Sequence, residues 1–462
     1  MKTTLLFSIL FAINTFVSAA IWHVSGTGND ANDGKTPETA LRNLQKAADL
    51  VQPGDVVLIS NGTYTNADKG NGSAVLSITR SGTSAAWITW KARPGHHPEI
   101  HPVGWAGIQI TGSYNVIDGL SVIGNNDSIV LLKAQEDGKK TTPDPYYNTN
   151  GIFFNGRGKK PDEKPHHLVI RNCIVGKCAG GGIVGIEIDY LTVEDCKVFE
   201  NAWFMRYGGS GITTLNNWAH DDAPGYHIVI QRNFVWNNKT LVAWEKIGKL
   251  SDGNGILLDV TDQEQGQGAT NPNADAVVKP ATSQTIVAPN TVAGTLVPEK
   301  PKRPEWTGRA LIANNVSTFN GGSGIHTFRT KHVDIINNTT YWNGGIVGYQ
   351  ELFANRSEDV VILNNIIVPR PGGAVTSNNR NTSVRWDYNV YPAAQTVFAG
   401  ANDIVAEPSF INIQPDPTKG DFRLAKSSRA VNSGSNDVPL SNDILGKARP
   451  KNAGRDRGAF EQ

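Results

Sequence analysis

Two stretches, HVDIINNTT (332–340) and DVVILNNII (359–367), share one pattern: alternating apolar residues that end on a pair of asparagines. The same kind of run, closing on Asn or Cys, recurs as HLVIRNCIV (167–175), YLTVEDCKV (190–198), HIVIQRNFV (227–235) and ALIANNVST (310–318). Where no insertion intervenes, the period is about 22 to 27 residues. Short strands repeated at such a period indicate a solenoid. The apolar positions alternate with period two, which excludes helical repeats.

Aligning these runs places an asparagine or a cysteine at one shared position in each coil. The aligned residues are Cys173, Cys196, Asn233, Asn315, Asn338, Asn365 and Asn389. Successive rungs of a β-solenoid lie about 4.8 Å apart, so inward-facing amides at this position are expected to form a hydrogen-bonded ladder. Cys173 and Cys196 are then two members of the stack, although the three cysteines, with Cys178, also allow one disulfide.

A second strand in each coil opens with glycine followed by isoleucine. The pairs are Gly151-Ile152, Gly182-Ile183, Gly211-Ile212, Gly255-Ile256, Gly324-Ile325 and Gly345-Ile346. The glycine allows a turn conformation, and the isoleucine fills the core. The stretch DGNGILLD (252–259) contains one such pair. The repeat explains its glycines and Ile256 but leaves Asp252 and Asp259 unexplained.

The N-terminal segment and the charge balance bear on location and partners. Residues 1–20 contain Lys2, an apolar run and small residues at 17–19, as in a secretory signal peptide. The run is shorter than the roughly 20 residues of a membrane span, and no later segment approaches that length. A net charge of +1 does not favour nucleic acid or an anionic membrane as partner. We expect a secreted monomer, extracellular or, in a Gram-negative host, periplasmic.

The two ends of the mature chain carry a family resemblance. Residues 21–64, IWHVSGTGNDANDGKTPETALRNLQKAADLVQPGDVVLISNGTY, resemble the N-terminal cap of secreted right-handed parallel β-helix proteins, a group that includes calcium-dependent pectate lyases, alginate lyases and chondroitinase B. The pair RP (449–450) followed by DRGAFE (456–461) is similar to the ending of those proteins. The resemblance implies an all-β, right-handed parallel β-helix in one domain, 21–462, with a capping helix over 40–51 and a closing segment over 440–462. The same scaffold carries lyases, hydrolases, epimerases and binding proteins, so it does not define the reaction.

Two long excursions predict where a substrate binds. One lies between Phe199 and Tyr226, and the other covers 261–304. Loops longer than about 15 residues are usually functional or disordered, and both leave the chain beside the Gly-Ile strand. We therefore expect a groove on that face. The first excursion supplies Trp203, Arg206, Tyr207 and Trp218 as candidate substrate-binding residues, to which Tyr349 and Glu351 are added from a later coil. It also supplies a carboxylate pair suited to Ca²⁺, Asp221 and Asp222.

An assumed register selects the candidate catalytic residues. If each isoleucine points inward, the first and third residues after it point outward. The outward positions are then Thr213 and Leu215, Leu257 and Asp259, His326 and Phe328, and Val347 and Tyr349, with Arg329 at a strand end. This arrangement predicts a cluster of Asp259, His326 and Arg329 on neighbouring rungs. Asp252 has an alternative interpretation as a turn residue that bonds its own backbone.

Three functions fit these residues, and the first is favoured because the resembling proteins are so often lyases. It is β-elimination on a uronic-acid polysaccharide such as pectate or alginate, which requires neutralisation of the uronate carboxylate by Ca²⁺ or arginine and a base at C5. The resemblance implies a lysine or arginine base, for which Lys249, Arg206 and Arg329 are the candidates. Asp221, Asp222, Asp252 and Asp259 are the candidate calcium ligands, although the compact aspartate-rich constellation of family 9 pectate lyases is not evident.

The second function is glycoside hydrolysis, which needs two carboxyl groups flanking the scissile bond. Asp252 with Asp259, or Asp259 with Glu351, meets that need, with His326 and Arg329 orienting the sugar. The third function is a noncatalytic carbohydrate-binding solenoid, in which the tryptophans matter and the carboxylates do not.

Overall fold

The computed structural model describes residues 19–66, 73–261, 303–451 and 454–462. Within these residues the chain forms a parallel β-helix, in which three stacked sheets contain eleven, nine and eleven strands. Strands that neighbour one another in a sheet come from successive coils and pair in parallel. The expectation of an all-β solenoid is confirmed. Most of the predicted 1–20 signal peptide and of the 261–304 insertion lies outside the described residues.

The first and second sheets carry the two strands that the sequence repeats predict. The first sheet comprises Ile21–Val24, Val56–Ile59, Ile88–Ala92, Asn115–Asp118, Leu168–Arg171, Leu191–Glu194, Tyr226–Gln231, Arg309–Ala313, Lys331–Ile336, Glu358–Leu363 and Thr382–Asp387. The second sheet comprises Ala74–Ile78, Ala106–Ile110, Asn150–Asn155, Ile183–Ile186, Ile212–Leu215, Ile256–Asp259, Ile325–Phe328, Leu352–Asn355 and Asn378–Asn379.

The remaining elements close the coils and the ends of the solenoid. The third sheet comprises Thr63–Thr65, Glu99–His101, Ser121–Ile123, Ile174–Gly176, Lys197–Phe199, Phe234–Trp236, Val316–Thr318, Thr339–Tyr341, Ile366–Val368, Val390–Tyr391 and Ile404–Val405. An antiparallel pair, Phe410–Asn412 and Asp421–Leu424, follows it. The α-helices are Leu44–Leu50 and Leu131–Asp137, and the 3₁₀ helices are Asn126–Ser128, Pro145–Tyr147 and Pro161–Glu163. None of the described helices is long and apolar enough to cross a membrane.

The Gly-Ile pairs place an isoleucine column in the core, with one exception. Ile152, Ile183, Ile212, Ile256 and Ile325 pair in register along the second sheet and are fully buried.

The pair Gly345-Ile346 does not belong to this column, and the prediction for it is wrong. Gly344 and Gly348 adopt φ of 75° and 74°, so the chain bends here instead of extending, and Ile346 is 42% exposed. The strand that follows in the sheet begins instead at Leu352, which pairs with Ile325. Val347 and Tyr349 therefore do not occupy the outward strand positions assigned to them.

The predicted asparagine ladder is present inside the coils. The side-chain amide of Asn233 donates to Asn315 Oδ1 at 3.0 Å, and Asn315 donates to Asn338 Oδ1 at the same distance. The chain of bonds continues through Asn365 to Asn389, at 3.1 Å for each step. The three cysteines are buried free thiols, so no disulfide forms.

A second ladder, which the sequence repeats did not reveal, runs parallel to the first. It links Asn201, Asn238, Asn320 and Asn343 through side-chain bonds of 2.8 to 3.0 Å. The carboxylate of Glu351 ends it, accepting from the side-chain amide of Asn343 and, at 2.9 Å, from the Asn343 backbone N–H. Each of these asparagines lies five residues after the first-ladder position of its own coil, which is Cys196, Asn233, Asn315 or Asn338.

The two ends of the chain pack onto the solenoid. The helix Leu44–Leu50 buries Leu44, Ala47 and Ala48, and it begins four residues later than the sequence predicts, because Ala40 and Leu41 lie in an extended segment that bridges to Val24. At the C-terminal end of the chain Arg449 and Glu461 form a fully buried ion pair at 3.2 Å. This segment packs along the side of the solenoid, where Arg449 donates to Asn314 Oδ1 at 3.1 Å.

Candidate functional site

A groove of about 600 Å³ runs along the outer face of the second sheet. Its floor contains the outward residues of consecutive strands, among them Val184, Thr213 and Leu257, which pair in register. Its walls come from the segments 205–210 and 244–252. The expectation of a groove on this face, beside the first excursion, therefore matches the structure.

Asp259 lies at the end of its strand, in register with Leu215 and Phe328, and its side chain lines the groove. Its Oδ1 atom is buried and has no hydrogen-bond partner within the described parts of the chain. Burial raises the pKa of Asp259 well above its usual value, and the charge of Asp252 adds to the rise, whereas Arg329 and Arg303 oppose it. A carboxyl group in this setting holds its proton.

Asp252 reaches the same groove from the turn that precedes the strand. It adopts a left-handed conformation with φ of 66°, and the hydroxyl of Ser251 donates to its Oδ2 at 2.9 Å. The carboxylate lies against Gly208, where a Cβ atom would come within 2.5 Å of Oδ2. Glycine at 208 therefore makes room for this carboxylate. Burial raises the pKa of Asp252 to about 6, while the Ser251 hydrogen bond favours the ionised form.

These two carboxyl groups can carry out acid–base chemistry as a pair. Because each is desolvated and the charge of Asp252 raises the pKa of Asp259, double ionisation is disfavoured and one proton is retained on the pair near neutral pH. A protonated carboxyl and an ionised carboxylate in one groove are the two partners that glycosidic-bond hydrolysis uses.

His326 is adjacent to Asp259 in the sheet but does not line the groove. It pairs with Leu257, and its ring stacks on Phe353 with 4.0 Å between centroids. Neither ring nitrogen has a hydrogen-bond partner among the residues that the structure describes. Burial lowers the pKa of His326 to about 3, so the ring is neutral and packs as an apolar group.

Arg329 and Tyr349 interact with the two aspartates but do not line the groove. Arg329 is buried in a left-handed conformation, its guanidinium lies 4.9 Å from the centre of the Phe328 ring, and its charge lowers the pKa of Asp259. The hydroxyl of Tyr349 lies 3.3 Å from the Ser251 hydroxyl, and its ring covers His326 edge-on at 5.9 Å.

Aromatic and basic side chains line the rest of the groove. Tyr207, as predicted for a groove residue, faces Trp105 with 6.5 Å between ring centroids, and Trp244 lies on the wall. Arg157 and Lys246 add positive charge. The sequence does not mark Trp105 and Arg157 as groove residues, because they come from earlier coils and belong to no repeat or motif.

The other two predicted aromatic residues lie outside the groove. Trp203 donates from Nε1 to the carbonyl of Asn237 at 3.0 Å, and the Lys239 ammonium lies 4.1 Å from its ring centre. Trp218 is buried beneath the Lys164 ammonium at 4.5 Å. Both tryptophans pack loops onto the solenoid.

Three further candidates, Arg206, Lys249 and Glu351, also lie outside the groove. Arg206 forms an ion pair with Glu245 and donates to the carbonyl of Lys140 at 2.5 Å. Lys249 is exposed at the end of the wall turn and does not line the groove, and Glu351 closes the second ladder.

Asp221 and Asp222 lie apart from the two groove carboxylates. Asp221 accepts a hydrogen bond from the Tyr190 hydroxyl at 2.6 Å, and Asp222 is exposed. Within the described segments, the one close group of three or more potential metal-ligating side chains consists of histidines. Calcium binding by the aspartates stays a prediction.

Comparison with known proteins identifies similar folds. A family model described as "Pel9A-like, right handed beta helix region" matches residues 22–358. The crystal structure of pectate lyase Pel9A is similar at a TM-score of 0.50 and 16% identity, covering 96% of each chain. A rhamnogalacturonan lyase follows at a TM-score of 0.44 and 14% identity, covering 86% of this chain and 91% of the other. A GH136 lacto-N-biosidase from Eubacterium ramulus has a TM-score of 0.43 and 13% identity, covering 80% and 56%. No curated protein sequence gives a significant match.

Proposed function

This chain belongs to the Pel9A-like right-handed β-helix family, and from that premise we propose that it is a polysaccharide-degrading enzyme that hydrolyses glycosidic bonds in the groove. The observation that carries the proposal is the pair Asp252 and Asp259, which line the groove together with pKa values raised by burial. Neither carboxylate is explained by the coil repeat. The same fold carries several reactions, so the fold does not define this one, and the pair of aspartates is the feature that favours hydrolysis.

The two carboxyl groups take different roles in the proposed reaction. Ser251 stabilises the ionised form of Asp252, whereas Asp259 Oδ1 has no hydrogen-bond partner among the described residues, so the proton is assigned to Asp259. Asp259 then protonates the oxygen of the leaving group, and Asp252 acts as the carboxylate that attacks the sugar or activates water. Arg329 holds Asp259 in place electrostatically and stabilises the carboxylate that forms once the proton has left.

The groove lining indicates the class of sugar. Trp105, Tyr207 and Trp244 offer flat apolar surfaces for pyranose rings, with a polar end toward solvent. Arg157 and Lys246 in the same groove favour a polymer that carries carboxylates, which agrees with the earlier expectation of a uronic-acid polysaccharide. The chain as a whole has a net charge of only +1, so this attraction is local.

β-Elimination is the second candidate, and the presence of Lys246 in the groove favours it. Elimination needs a base near C5 of a uronate, and a groove lysine can take that role. In this reaction Asp252 and Asp259 would hold Ca²⁺ against the uronate carboxylate instead of acting as acid and nucleophile. The pectate lyase Pel9A belongs to the same family, and this is a second reason to test for elimination.

The products separate the two reactions. Purified mature protein is incubated with pectate, alginate, rhamnogalacturonan and neutral polysaccharides, with and without a calcium chelator. Hydrolysis releases reducing ends with no ultraviolet absorbance from unsaturated uronate, and chelation leaves the rate unchanged. A rise in that absorbance would reject hydrolysis in favour of elimination, and its loss on chelation would show that elimination depends on metal.

A further inference from the structure

Three histidines meet at the turns between the second and first sheets, and none of them lines the groove described above. His166 and His167 precede the first-sheet strand Leu168–Arg171, and His220 lies in the loop before Tyr226–Gln231. One ligand atom from each residue lies within 4.8 Å of the other two. The Nδ1 atoms of His166 and His167 are 2.7 Å apart, and the rings of His166 and His220 stack at 3.6 Å between centroids.

The coil repeat itself holds this cluster in position. An aromatic column runs across four coils at the turn before the first sheet, with centroid distances of 4.7 Å from Tyr114 to His167, 4.3 Å to Tyr190 and 4.0 Å to His227. These distances approximate the rung spacing of a sheet. His167 adopts φ of 54°, as do Tyr114 at 54° and Tyr190 at 46°. The column therefore sets the position of the His167 ring.

Hydrogen bonds fix the backbones of the other two histidines. The backbone N–H of His166 donates to the Ser113 hydroxyl at 3.1 Å, and that of His220 donates to Asp189 Oδ2 at 2.7 Å. Asp189 is buried and also bonds His227 at 3.0 Å, so the loop anchor is rigid. The His220 side chain is exposed, and its ring already stacks on that of His166.

The chemical state of the cluster suits a metal ion. Imidazole binds metals in its neutral form. The rings of His166 and His167 are partly buried, whereas that of His220 is exposed. The carboxylate of Asp221 lies next to the cluster, where it accepts from the Tyr190 hydroxyl and lies 3.9 Å from His227 Nε2.

We propose that His166, His167 and His220 bind one Zn²⁺-type transition-metal ion that clamps the 220–225 loop onto the coils that begin at His167 and Tyr190. Imidazole nitrogens bind zinc at about 2.0–2.1 Å, so ligand atoms around one ion are separated by no more than about 4.2 Å. One ligand atom of each histidine already lies within 4.8 Å of the other two, and small side-chain rotations bring the three nitrogens to the spacing that one ion requires. Water or the Asp221 carboxylate completes a tetrahedral set. None of the three histidines lines the groove, so the proposed role is structural and separate from the proposed reaction.

Calorimetric titration of the tag-free mature protein with Zn²⁺ tests this site. The matched variants are His220→Ala and His332→Ala. His332 aligns with His167 in the coil repeat but lies within the strand Lys331–Ile336 and pairs with Asp359 at 2.8 Å. We expect one Zn²⁺ per chain in the wild type and in His332→Ala, and affinity at least about tenfold weaker in His220→Ala. Zn²⁺ is also expected to raise the unfolding midpoint of the wild type but not that of His220→Ala.

Two results would overturn the proposal. One is the absence of a stoichiometric Zn²⁺ site in the wild type. The other is unchanged affinity in His220→Ala, which would show that scattered surface histidines bind the ion. Neither result depends on polysaccharide cleavage, so the test stands apart from that of the groove.

Discussion

The carboxylates of Asp252 and Asp259 line one groove from opposite ends of the stretch DGNGILLD, and the charge on Asp252 raises the pKa of Asp259. The residues between them are accounted for by the fold: Gly255 opens the strand and Ile256 fills the core column. Two desolvated carboxyl groups that disfavour each other's ionisation cost stability near neutral pH. A cost of this kind is typical of functional sites.

The pH dependence of stability tests this cost. A carboxyl group whose pKa is raised by folding stabilises the native state fully below its unfolded pKa, near 4, and that contribution is lost as pH rises through its folded pKa, about 6 for Asp252. We therefore expect Asp252→Asn to unfold with the same free energy as the wild type at pH 4 and with up to about 3 kcal/mol more at pH 7. Denaturant titrations at the two pH values measure the difference.

Equal stabilities of the two proteins at both pH values would contradict the burial of Asp252. Asp222→Asn serves as control, because Asp222 is exposed and lies outside the groove, and it is expected to show no pH-dependent gain.

The sequence predicts the solenoid and its first ladder well because both depend on short-range repetition. The alternation within HVDIINNTT (332–340) and DVVILNNII (359–367) determines which side chains enter the core, and each coil repeats it. The prediction failed at Gly345-Ile346, where the letters match the repeat but two glycines with positive φ bend the chain. A short motif does not report the conformation of its neighbours.

The site was predicted only in part because its walls depend on loop conformation. Asp259 and Tyr207 reach the groove as expected, whereas Arg206 turns away to pair with Glu245. Neither the partner of Arg206 nor the contribution of Trp105, which comes from a distant coil, is encoded in a local pattern. Contacts between residues that are far apart in the sequence become visible only in the folded structure.

His326 is predicted to act as a packing residue. Its neutral ring stacks on Phe353 with both nitrogens buried and without partners in the described ranges. We expect His326→Phe to retain activity within about threefold and to gain about 1 kcal/mol of unfolding free energy, because a buried unsatisfied polar group is removed. Steady-state kinetics and denaturant unfolding check both values. A drop in kcat of a hundredfold or more would instead assign acid–base chemistry to this histidine.

The ladder is expected to be a major source of stability. The side chain of Asn338 donates to Asn365 Oδ1 and to the Ile312 carbonyl, and it accepts from Asn315. Asn338→Ala leaves several buried groups unpaired, so we predict a loss of roughly 2–4 kcal/mol in unfolding free energy. Exposed Asn436 provides the control, and Asn436→Ala is expected to change stability by no more than about 0.5 kcal/mol. A loss below about 1 kcal/mol in Asn338→Ala would mean that the amide ladder contributes little.

Trp105 is predicted to bind substrate without taking part in chemistry. It lines the groove beside Tyr207, whereas Trp342 is exposed on another face. One lost aromatic contact is worth about 1–1.5 kcal/mol, so Trp105→Ala is expected to raise KM roughly tenfold and leave kcat nearly unchanged. Trp342→Ala is expected to change neither parameter, and equal effects of the two substitutions would argue against sugar binding at the groove.

The central claim is that Asp252 and Asp259 perform the reaction, and the release of reducing ends by matched variants tests it most directly. On the polysaccharide that the wild type degrades, Asp252→Asn and Asp259→Asn are each predicted to lose at least about a hundredfold in kcat while keeping a native circular dichroism spectrum. Asp222→Asn is predicted to keep wild-type activity. Substantial activity in both groove variants would contradict the account and place the reaction elsewhere on the solenoid.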